Sequence, residues 1–451
     1  MIMRRFTIIV LLAAAVLSSC AGGRDRQVVA SRAGIILDSD VYQGGGTDQT
    51  DAIQAILDRA PKWGRLHFVM DGAALVSRTL KVHSNTTIEC PDLSCGFYLA
   101  DSSNCSVITN ANRSMETIGD RNITLLGGVY NNNFPAQVHD RGADIDFFSS
   151  WIFAMEFYGV EHLKMKGVTI ADQRTFALTM ANWKFVDIED LHVDRRRGAD
   201  AQNQDGLHFF GPGRFLTLRN IYGNSGDDFI AIAPDEVDHK SSISDVLIDG
   251  VMLDDADQGI RLLCCGEGRL DRVTVKNVTG TYKSFGFIVD PWFASVPGGG
   301  HYSDIVFENI NLTSLEPNYT YAAPFLFKLG GNIESIFLRN INVARSEVPH
   351  RTFVAGGHYM TDGPRDEGQQ THIGTMVIDG LTFSGDRTPY DIIDVRGADI
   401  DILKISDCLI KPEGPSLLKV TDGKVGTLLL DNVYAPGLKT KVNAPHGAVK
   451  Y

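Results

Sequence analysis

Three aspartates in the middle of the chain are spaced so that they can act together on one substrate. Asp205 lies in the segment Asn203-Gln204-Asp205-Gly206, and the pair Asp227 and Asp228 begins 22 positions later. One turn of a parallel β-helix takes roughly 20–30 residues, so this interval predicts carboxylates on neighbouring turns, about 4.8 Å apart. Like charges at that distance cannot all ionise freely, and at least one pKa should be raised. A protonated acid beside an ionised carboxylate is what glycosidic bond cleavage requires.

The elements that must position these carboxylates are short strands in a recurring unit. Each copy has an apolar strand, a turn with Asn, Asp or Gly, and a second short apolar strand, as in residues 163–170. Successive copies start roughly 25–40 residues apart, which is a solenoid period. A β-sandwich would also contain short strands, but this recurrence favours an all-β fold, a right-handed parallel β-helix. An Asn or Asp keeps its place before the second strand at Asn220, Asp249, Asn277, Asn309, Asn340, Asp379, Asp407 and Asn432.

One short helix is predicted ahead of the strands. Its apolar residues fall on one helical face, with Thr47 or Asp48 as the expected N-cap. These apolar residues are Ala52, Ile53, Ile56, Leu57 and Ala60. A single amphipathic helix before a long β region is typical of a cap over the open end of a solenoid.

The first residues have the pattern of an export signal. Arg4 and Arg5 precede an apolar run over residues 6–17, and the tetrad Leu17-Ser18-Ser19-Cys20 resembles the bacterial lipobox. We expect residues 1–20 to be a lipoprotein signal peptide, with a lipid on Cys20 as the only membrane attachment; an ordinary secretory peptide is the alternative. The expected location is the periplasm or the surface of a bacterial envelope. Residues 21–35 are expected to be a flexible spacer, and residues 36–451 a single β-helix catalytic domain.

Charge and cysteine content narrow the choice of partners. The formal net charge of −13 argues against nucleic acid as a partner, whereas a carbohydrate remains compatible with it. Apart from Cys20, the cysteines lack the spacing of metal ligands with matching histidines, so no metal site is predicted. A disulfide between Cys90 and Cys95 and buried free thiols are both left open.

Three motifs together resemble the polygalacturonases of glycoside hydrolase family 28, within the pectin-lyase-like β-helix superfamily. They are Asn203-Gln204-Asp205-Gly206, Gly226-Asp227-Asp228 and Gly259-Ile260-Arg261-Leu262-Leu263, and the resemblance is densest over residues 160–290. It implies that Asp227 is the general acid, that Asp205 and Asp228 activate water, and that Arg261 binds substrate, with no cofactor or metal. Two features differ from the family: no Gly-His-Gly motif follows the acidic pair, and Leu263 replaces a lysine.

Further residues are candidates for substrate binding. Asn203 belongs to the first motif, and His208 follows it closely, where it can substitute for the missing histidine or bond within a turn. Asp290 and Trp292 lie in a segment predicted to leave the solenoid, where an aromatic ring can stack on a sugar or pack into the core.

These residues predict an inverting glycosidase that acts on a polysaccharide or oligosaccharide, a pectin-like or other uronate-containing glycan. Two alternatives remain: a polysaccharide lyase on the same fold, and a glycan-binding β-helix protein without catalysis. The oligomeric state is not predicted.

Overall fold

The computed structural model describes residues 26–134, 136–137, 151–196, 203–291, 297–317, 324–343, 346, 348–358, 363, 365, 369–385 and 387–451. The predicted signal peptide with Cys20 and the candidate Trp292 lie outside these ranges. Among the described residues, no helix has the length and apolar character needed to cross a membrane.

The regular secondary structure of the described chain is almost entirely β-strand, as predicted. Its helical elements are a 3₁₀ turn at Ser31–Ala33 and the helices α1 (Thr50–Leu57) and α2 (Ala60–Trp63). The strands are β1 Arg26–Val29, β2 Leu66–Val69, β3 Ala73–Val76, β4 Leu80–Val82, β5 Thr86–Glu89, β6 Gly96–Leu99, β7 Ile108–Asn110, β8 Asp120–Leu126, β9 Val129–Asn131, β10 Met155–Lys166, β11 Thr169–Ala171, β12 Leu178–Asp194, β13 Leu207–Phe210, β14 Gly213–Gly223, β15 Asp228–Ala233, β16 Ile243–Leu262, β17 Arg269–Val289, β18 His301–Ser314, β19 Phe325–Leu329, β20 Asn332–Val343, β21 Arg351–Gly356, β22 Thr371–Phe383, β23 Ile393–Arg396, β24 Ala398–Ile410, β25 Gly414–Thr421, β26 Lys424–Tyr434 and β27 Leu438–Asn443.

These strands form a parallel solenoid with three faces. Each named strand pairs in parallel with a strand of the previous or the next turn, which is the pairing of a β-helix rather than of hairpins. Sheet 1 includes β2, β5 and β8, sheet 2 includes β3, β6 and β9, and sheet 3 includes β13, β15 and β19. Long strands such as β16 bend through all three faces. The predicted right-handed winding stays a prediction.

The core is built from rows of apolar side chains stacked from turn to turn. In sheet 1 one row is continuous through the solenoid, because each turn supplies an apolar residue at the same register position. The row is Leu125, Met165, Ile188, Leu218, Ile248, Val275, Phe307, Leu338, Ile378, Ile405 and Leu430. Burial of such rows is the main favourable term in folding.

The recurring Asn and Asp residues turn the corner between sheet 1 and sheet 2. Asn277, Asn309 and Asn340 have φ values of 58°, 58° and 49°, in the left-handed region that Asn tolerates. The side-chain amide of Asn309 donates to the Asn277 side chain at 2.9 Å, and that of Asn340 donates to Asn309 at 2.7 Å. The predicted turn position is confirmed at these three asparagines, which form a ladder of amides, and at Asn220, Asp407 and Asn432. It is wrong for Asp249 and Asp379, which lie one register position earlier, because Gly250 and Gly380 take the left-handed turn there.

The predicted short helix is confirmed as α1. It buries Ile53, Ile56 and Leu57 and packs against β2 and β4 in the first turns of the solenoid. The expected N-cap is wrong: Gln49 is the N-cap residue, and its side chain makes no capping hydrogen bond. Asp48, one position earlier, accepts a hydrogen bond from the backbone N–H of Thr50 at 2.9 Å.

The predicted spacer over residues 21–35 is corrected for its second half. Arg26–Val29 already pair with β2 as strand β1, and Ala30 is fully buried in the core. Apolar residues at Val28 and Ala30 give this segment a face to bury, so the solenoid already includes residues 26–30. The described cysteines, including Cys90 and Cys95, carry free thiols.

Candidate active site

The three aspartates meet at the corner where sheet 2 leads into sheet 3. Asp205 directly precedes the β13 region, and Asp227 and Asp228 lie at the start of β15. The register pairs Leu207 with Ile230, so Asp205 lies beside Asp228 on the next turn. The register pairs Asp228 with Gln258 on the turn after that. The Leu207–Ile230 register does not extend back to Gln204, whose carbonyl oxygen accepts a hydrogen bond from the backbone N–H of Gly226. Asp205 therefore lies close to both Asp227 and Asp228.

Glycine at position 206 allows the turns to approach closely. The backbone N–H of Gly206 donates to the carbonyl oxygen of Asp228 at 2.9 Å. A Cβ atom on residue 206 would lie 2.3 Å from the carbonyl oxygen of Phe229. Glycine is therefore required at position 206 for the packing of the two turns.

Asp227 has the environment of a protonated acid. It is partly exposed, and the side-chain amide of Gln258 donates to its Oδ1 at 2.7 Å. Burial of the carboxyl raises the pKa of Asp227 well above its usual value, and the charges of Asp205 and Asp228 raise it further. Gln258 occupies Oδ1, so the proton belongs on Oδ2.

Asp228 is held by a buried guanidinium. Its side chain is 1% exposed, and Nη1 of Arg261 donates to its Oδ2 at 2.8 Å. Burial alone would lower the pKa of Arg261, but the charges of Asp228 and Glu236 outweigh it and raise that pKa. Oδ1 of Asp228 is fully buried and has no hydrogen-bond partner among the described residues.

Asp205 is one end of a buried row of three charged side chains, Asp205, His208 and Glu236, which are joined by hydrogen bonds. Its Oδ2 lies 2.7 Å from Nδ1 of His208, and Nε2 of the same imidazole lies 3.0 Å from Oε2 of Glu236. Burial raises the pKa of Asp205 to about 7, although His208 opposes the shift. Burial would lower the pKa of His208, but its bonds to Asp205 and Glu236 raise it to about 9. His208 is therefore an imidazolium at neutral pH.

The imidazole is also fixed by aromatic rings. Phe176 stacks on His208 with ring centroids 4.5 Å apart and an interplanar angle of 3°, and Phe210 lies 4.4 Å away. These rings belong to a small apolar cluster on the outer side of sheet 3 that also contains Phe153. The cluster excludes water from one side of these three charged side chains and strengthens the electrostatic interactions between them.

The other predicted binding residues have different surroundings. Asn203 is partly exposed, two residues before Asp205, in a turn with φ of 56°. Asp290 is fully buried, and its carboxylate accepts two hydrogen bonds from Arg365 at 2.6 Å and lies 3.4 Å from Nζ of Lys328. Asp290 is therefore occupied within the protein, and its binding of substrate stays a prediction.

Two residues of the site escaped the sequence reasoning. Gln258 could have been found from the register, since it lies one turn beyond Asp228. Glu236 comes from the segment after β15, and no sequence spacing signals its contact with His208. Asp257 also adjoins the site; burial raises its pKa to about 7, and Ser284 donates to it at 3.2 Å.

Metal-ion binding has no visible basis in the described ranges, where no group of three His, Cys, Asp or Glu side chains is arranged as ligands.

Comparison with known proteins supports the fold alone. No family model and no curated protein matches the sequence. Among solved structures the chain is similar to the family 28 exopolygalacturonase of Yersinia enterocolitica, with 14% identity, a TM-score of 0.49, and coverage of 94% of this chain and 79% of that chain.

The chain is also similar to variants of the tailspike protein of E. coli bacteriophage HK620. A complex with a pentasaccharide matches at 10% identity and a TM-score of 0.59, covering 88% of this chain and 75% of the tailspike. A complex with a hexasaccharide matches at 10% identity and a TM-score of 0.56, covering 88% and 74%. The predicted resemblance to β-helix proteins of this kind is confirmed at the level of fold.

Proposed function

We propose that this chain hydrolyses glycosidic bonds of a uronate-containing polysaccharide or oligosaccharide, with inversion at the anomeric carbon. One observation carries the proposal: three carboxylates at one corner have different environments. Asp227 has a raised pKa and is partly exposed, whereas Asp228 is buried against Arg261. When their environments make the pKa values of neighbouring carboxyls differ, one carboxyl can act as an acid and another as a base.

Asp227 acts as the general acid. Its proton on Oδ2 passes to the glycosidic oxygen as the bond to the anomeric carbon breaks, so the leaving sugar departs as an alcohol. Gln258 is a positioning residue, because its amide holds Oδ1 at 2.7 Å and fixes the rotation of the carboxyl.

Asp228 and Asp205 act as the base. Asp228 accepts a proton from the attacking water, which requires its buried Oδ1 to become accessible when substrate binds, while Arg261 stabilises the carboxylate through Oδ2. Asp205 lies one turn away and assists when it is ionised, with His208 balancing its charge. The water attacks the face of the sugar opposite to the leaving group, which gives inversion.

Arg261 and His208 also favour an anionic sugar at this corner. Both are cationic at neutral pH and attract a uronate carboxylate. Both nitrogens of His208 already bond to Asp205 and Glu236, so a direct charge-assisted hydrogen bond to the sugar would come from Arg261. Asn203 contacts the same sugar in this proposal, which its partial exposure at the turn supports. The tailspike complexes contain a pentasaccharide or a hexasaccharide, which supports a glycan as the ligand of this fold.

We also propose that the protein is exported and carries a lipid on Cys20, with a right-handed solenoid outside the cell membrane. The export proposal rests on Arg4, Arg5 and the tetrad that ends at Cys20. Labelling with a radioactive fatty acid tests it: the label should be lost in Cys20→Ala, and label that persists would contradict the proposal.

Product analysis distinguishes hydrolysis from the alternatives. Incubation with polygalacturonate should release reducing ends without ultraviolet absorbance of an unsaturated uronate, and proton NMR of the first product should show the inverted anomer. Ultraviolet-absorbing product would indicate a lyase. Binding without any new reducing ends would indicate a glycan-binding protein. The glycan complexes of the tailspikes are compatible with this alternative.

A further inference from the structure

A β-bulge lies beside the aspartates, on the turn of the solenoid that follows them. In the pairing of β16 with β17, Ala256 lies opposite Tyr282 and Gln258 lies opposite Phe285. One residue of β16, Asp257, therefore lies opposite two residues of β17. A bulge changes the direction of side chains locally, and bulges are frequent next to active sites.

The two β17 residues opposite Asp257 act on its carboxyl. Oγ of Ser284 donates to Oδ1 of Asp257 at 3.2 Å, whereas Oδ2 is buried without a hydrogen-bond partner among the described residues. Burial raises the pKa of Asp257 to about 7, although the bond from Ser284 and the positive charge of Lys283 oppose the shift. Asp257 therefore changes its charge near neutral pH.

Hydrogen bonds of the bulge place Asp257 on the turn next to Asp227. The backbone N–H of Asp257 donates to the carbonyl oxygen of Ser225 at 3.3 Å, and that of Gln258 donates to the carbonyl oxygen of Asp227 at 3.2 Å. Burial and the charges of the two other aspartates raise the pKa of Asp227, and the charge of Asp257 adds to this shift. The two carboxyls are therefore coupled across neighbouring turns.

The other charged groups that act on these two carboxyls come from neighbouring elements. Arg195, which follows β12, lowers the pKa of Asp257, and Asp228 of β15 raises it. Arg261 of β16 lowers the pKa of the general acid. Asp205 has a pKa of about 7, as Asp257 does, so both carboxyls gain their charge as the pH rises through about 7.

We propose that Asp257 is a positioning residue that keeps the proton on Asp227 above neutral pH. The proposal rests on the function proposed above. Asp205 must lose its proton to act as a base, whereas Asp227 must keep its proton to act as an acid. Asp257 ionises in the same range as Asp205, and its charge makes a second negative charge on Asp227 less favourable. The rise in pH that activates the base therefore also protects the acid.

Asp257→Asn tests the proposal, because the amide keeps the shape of the side chain and cannot carry the charge. On the alkaline side of the optimum, kcat/KM for polygalacturonate should fall at lower pH than in the wild type. The loss should be several-fold at the pH where the wild type is half-maximal. The acid side, which follows Asp205, should not move.

Ser284→Ala is a second variant that leaves the carboxyl of Asp257 in place. It removes a hydrogen bond that lowers the pKa of Asp257, so Asp257 should ionise at higher pH. The alkaline side of the profile should therefore move in the same direction as in Asp257→Asn, but by less. A shift of the alkaline side to higher pH in Ser284→Ala would contradict the proposal.

Asp249→Asn is the matched control, because it removes the same charge from the same strand. Asp249 lies on the sheet 1 part of β16, and its carboxylate is 3.2 Å from Nζ of Lys276. This variant should keep the whole pH profile of the wild type. An alkaline side that does not move in Asp257→Asn, or that moves equally in Asp249→Asn, would overturn the role of Asp257.

Carbon-13 NMR of labelled aspartate carboxyls separates this inference from the proposed hydrolysis. The signal of Asp227 is identified by its absence from Asp227→Asn, and its pKa should be lower in Asp257→Asn than in the wild type. A lower pKa without any cleavage of polygalacturonate would support the role of Asp257 and contradict the hydrolase. Cleavage with an unchanged pKa of Asp227 would overturn the role of Asp257 alone.

Discussion

Nε2 of His208 lies 3.0 Å from Oε2 of Glu236, while Nδ1 of the same ring lies 2.7 Å from Asp205. An imidazole between two carboxylates is held in its charged form, and this accounts for a His208 pKa of about 9. Glu236 is therefore a positioning residue that acts on Asp205 through the imidazole.

Glu236→Gln should lower the pKa of His208 from about 9, because the amide keeps a hydrogen-bond acceptor but removes the negative charge. A titration of the imidazole protons by NMR measures this. His192, whose pKa is lowered by its own burial, is the internal control and should not change. An unchanged pKa of His208 would show that the contact with Glu236 has no electrostatic effect.

On the acid side of its optimum, the pH dependence of kcat/KM should follow the ionisation of Asp205. A base must be ionised, so kcat/KM should rise with pH through about 7, the pKa of Asp205. His208→Gln removes a cation that lowers this pKa, so this rise should move to higher pH. Relative to the wild type, His208→Gln should therefore lose several-fold more of its kcat/KM at about pH 6 than at about pH 8. His372→Gln, on an exposed histidine of sheet 1, is the control, and identical profiles for the two variants would contradict this assignment.

The sequence predicted the repeating architecture well because that information is local. Asn277, Asn309 and Asn340 mark one corner, since Asn tolerates the left-handed backbone that a tight turn needs. The carboxylates were found for the same reason, since their spacing approximates one turn.

Register and contacts between distant segments could not be read in the same way. At one turn the predicted Asp249 lies one register position before Gly250, which has the left-handed backbone instead. Glu236 reaches His208 from a segment without a repeat pattern, and Asp290 is buried by Arg365, which is 75 positions away in sequence. Such contacts depend on how the chain packs in space, and no local pattern encodes them.

The asparagine ladder should contribute to stability and not to activity. Asn309→Ala removes two side-chain hydrogen bonds. It also leaves at φ of 58° a residue whose side chain cannot stabilise the left-handed backbone by a hydrogen bond. We expect a loss of about 1–2 kcal/mol in the free energy of unfolding, measured by urea titration. Asn309→Gly keeps the backbone unstrained and should lose less. Equal stability of the wild type and both variants would show that the ladder is neutral.

Arg261 should stabilise the fold as well as the site. Arg261→Met leaves the carboxylate of Asp228 buried without its cation, which should cost about 3–5 kcal/mol of stability. The double variant Arg261→Met/Asp228→Asn removes the stranded charge and should recover part of that loss. Both proteins should be inactive. A double variant no more stable than Arg261→Met would contradict the buried ion pair.

Asp227 is the residue on which the proposed chemistry depends most directly. Asp227→Asn keeps the shape of the side chain and the contact with Gln258 but removes the proton that the leaving oxygen needs. The decisive measurement compares kcat and the Kd for polygalacturonate in the wild type, Asp227→Asn and the control Asp255→Asn, whose carboxylate pairs with Lys283 at 3.2 Å. We predict that Asp227→Asn lowers kcat by about 10³-fold or more with Kd nearly unchanged, while Asp255→Asn stays active. Turnover by Asp227→Asn at the rate of the wild type would contradict the assignment of Asp227 as the general acid.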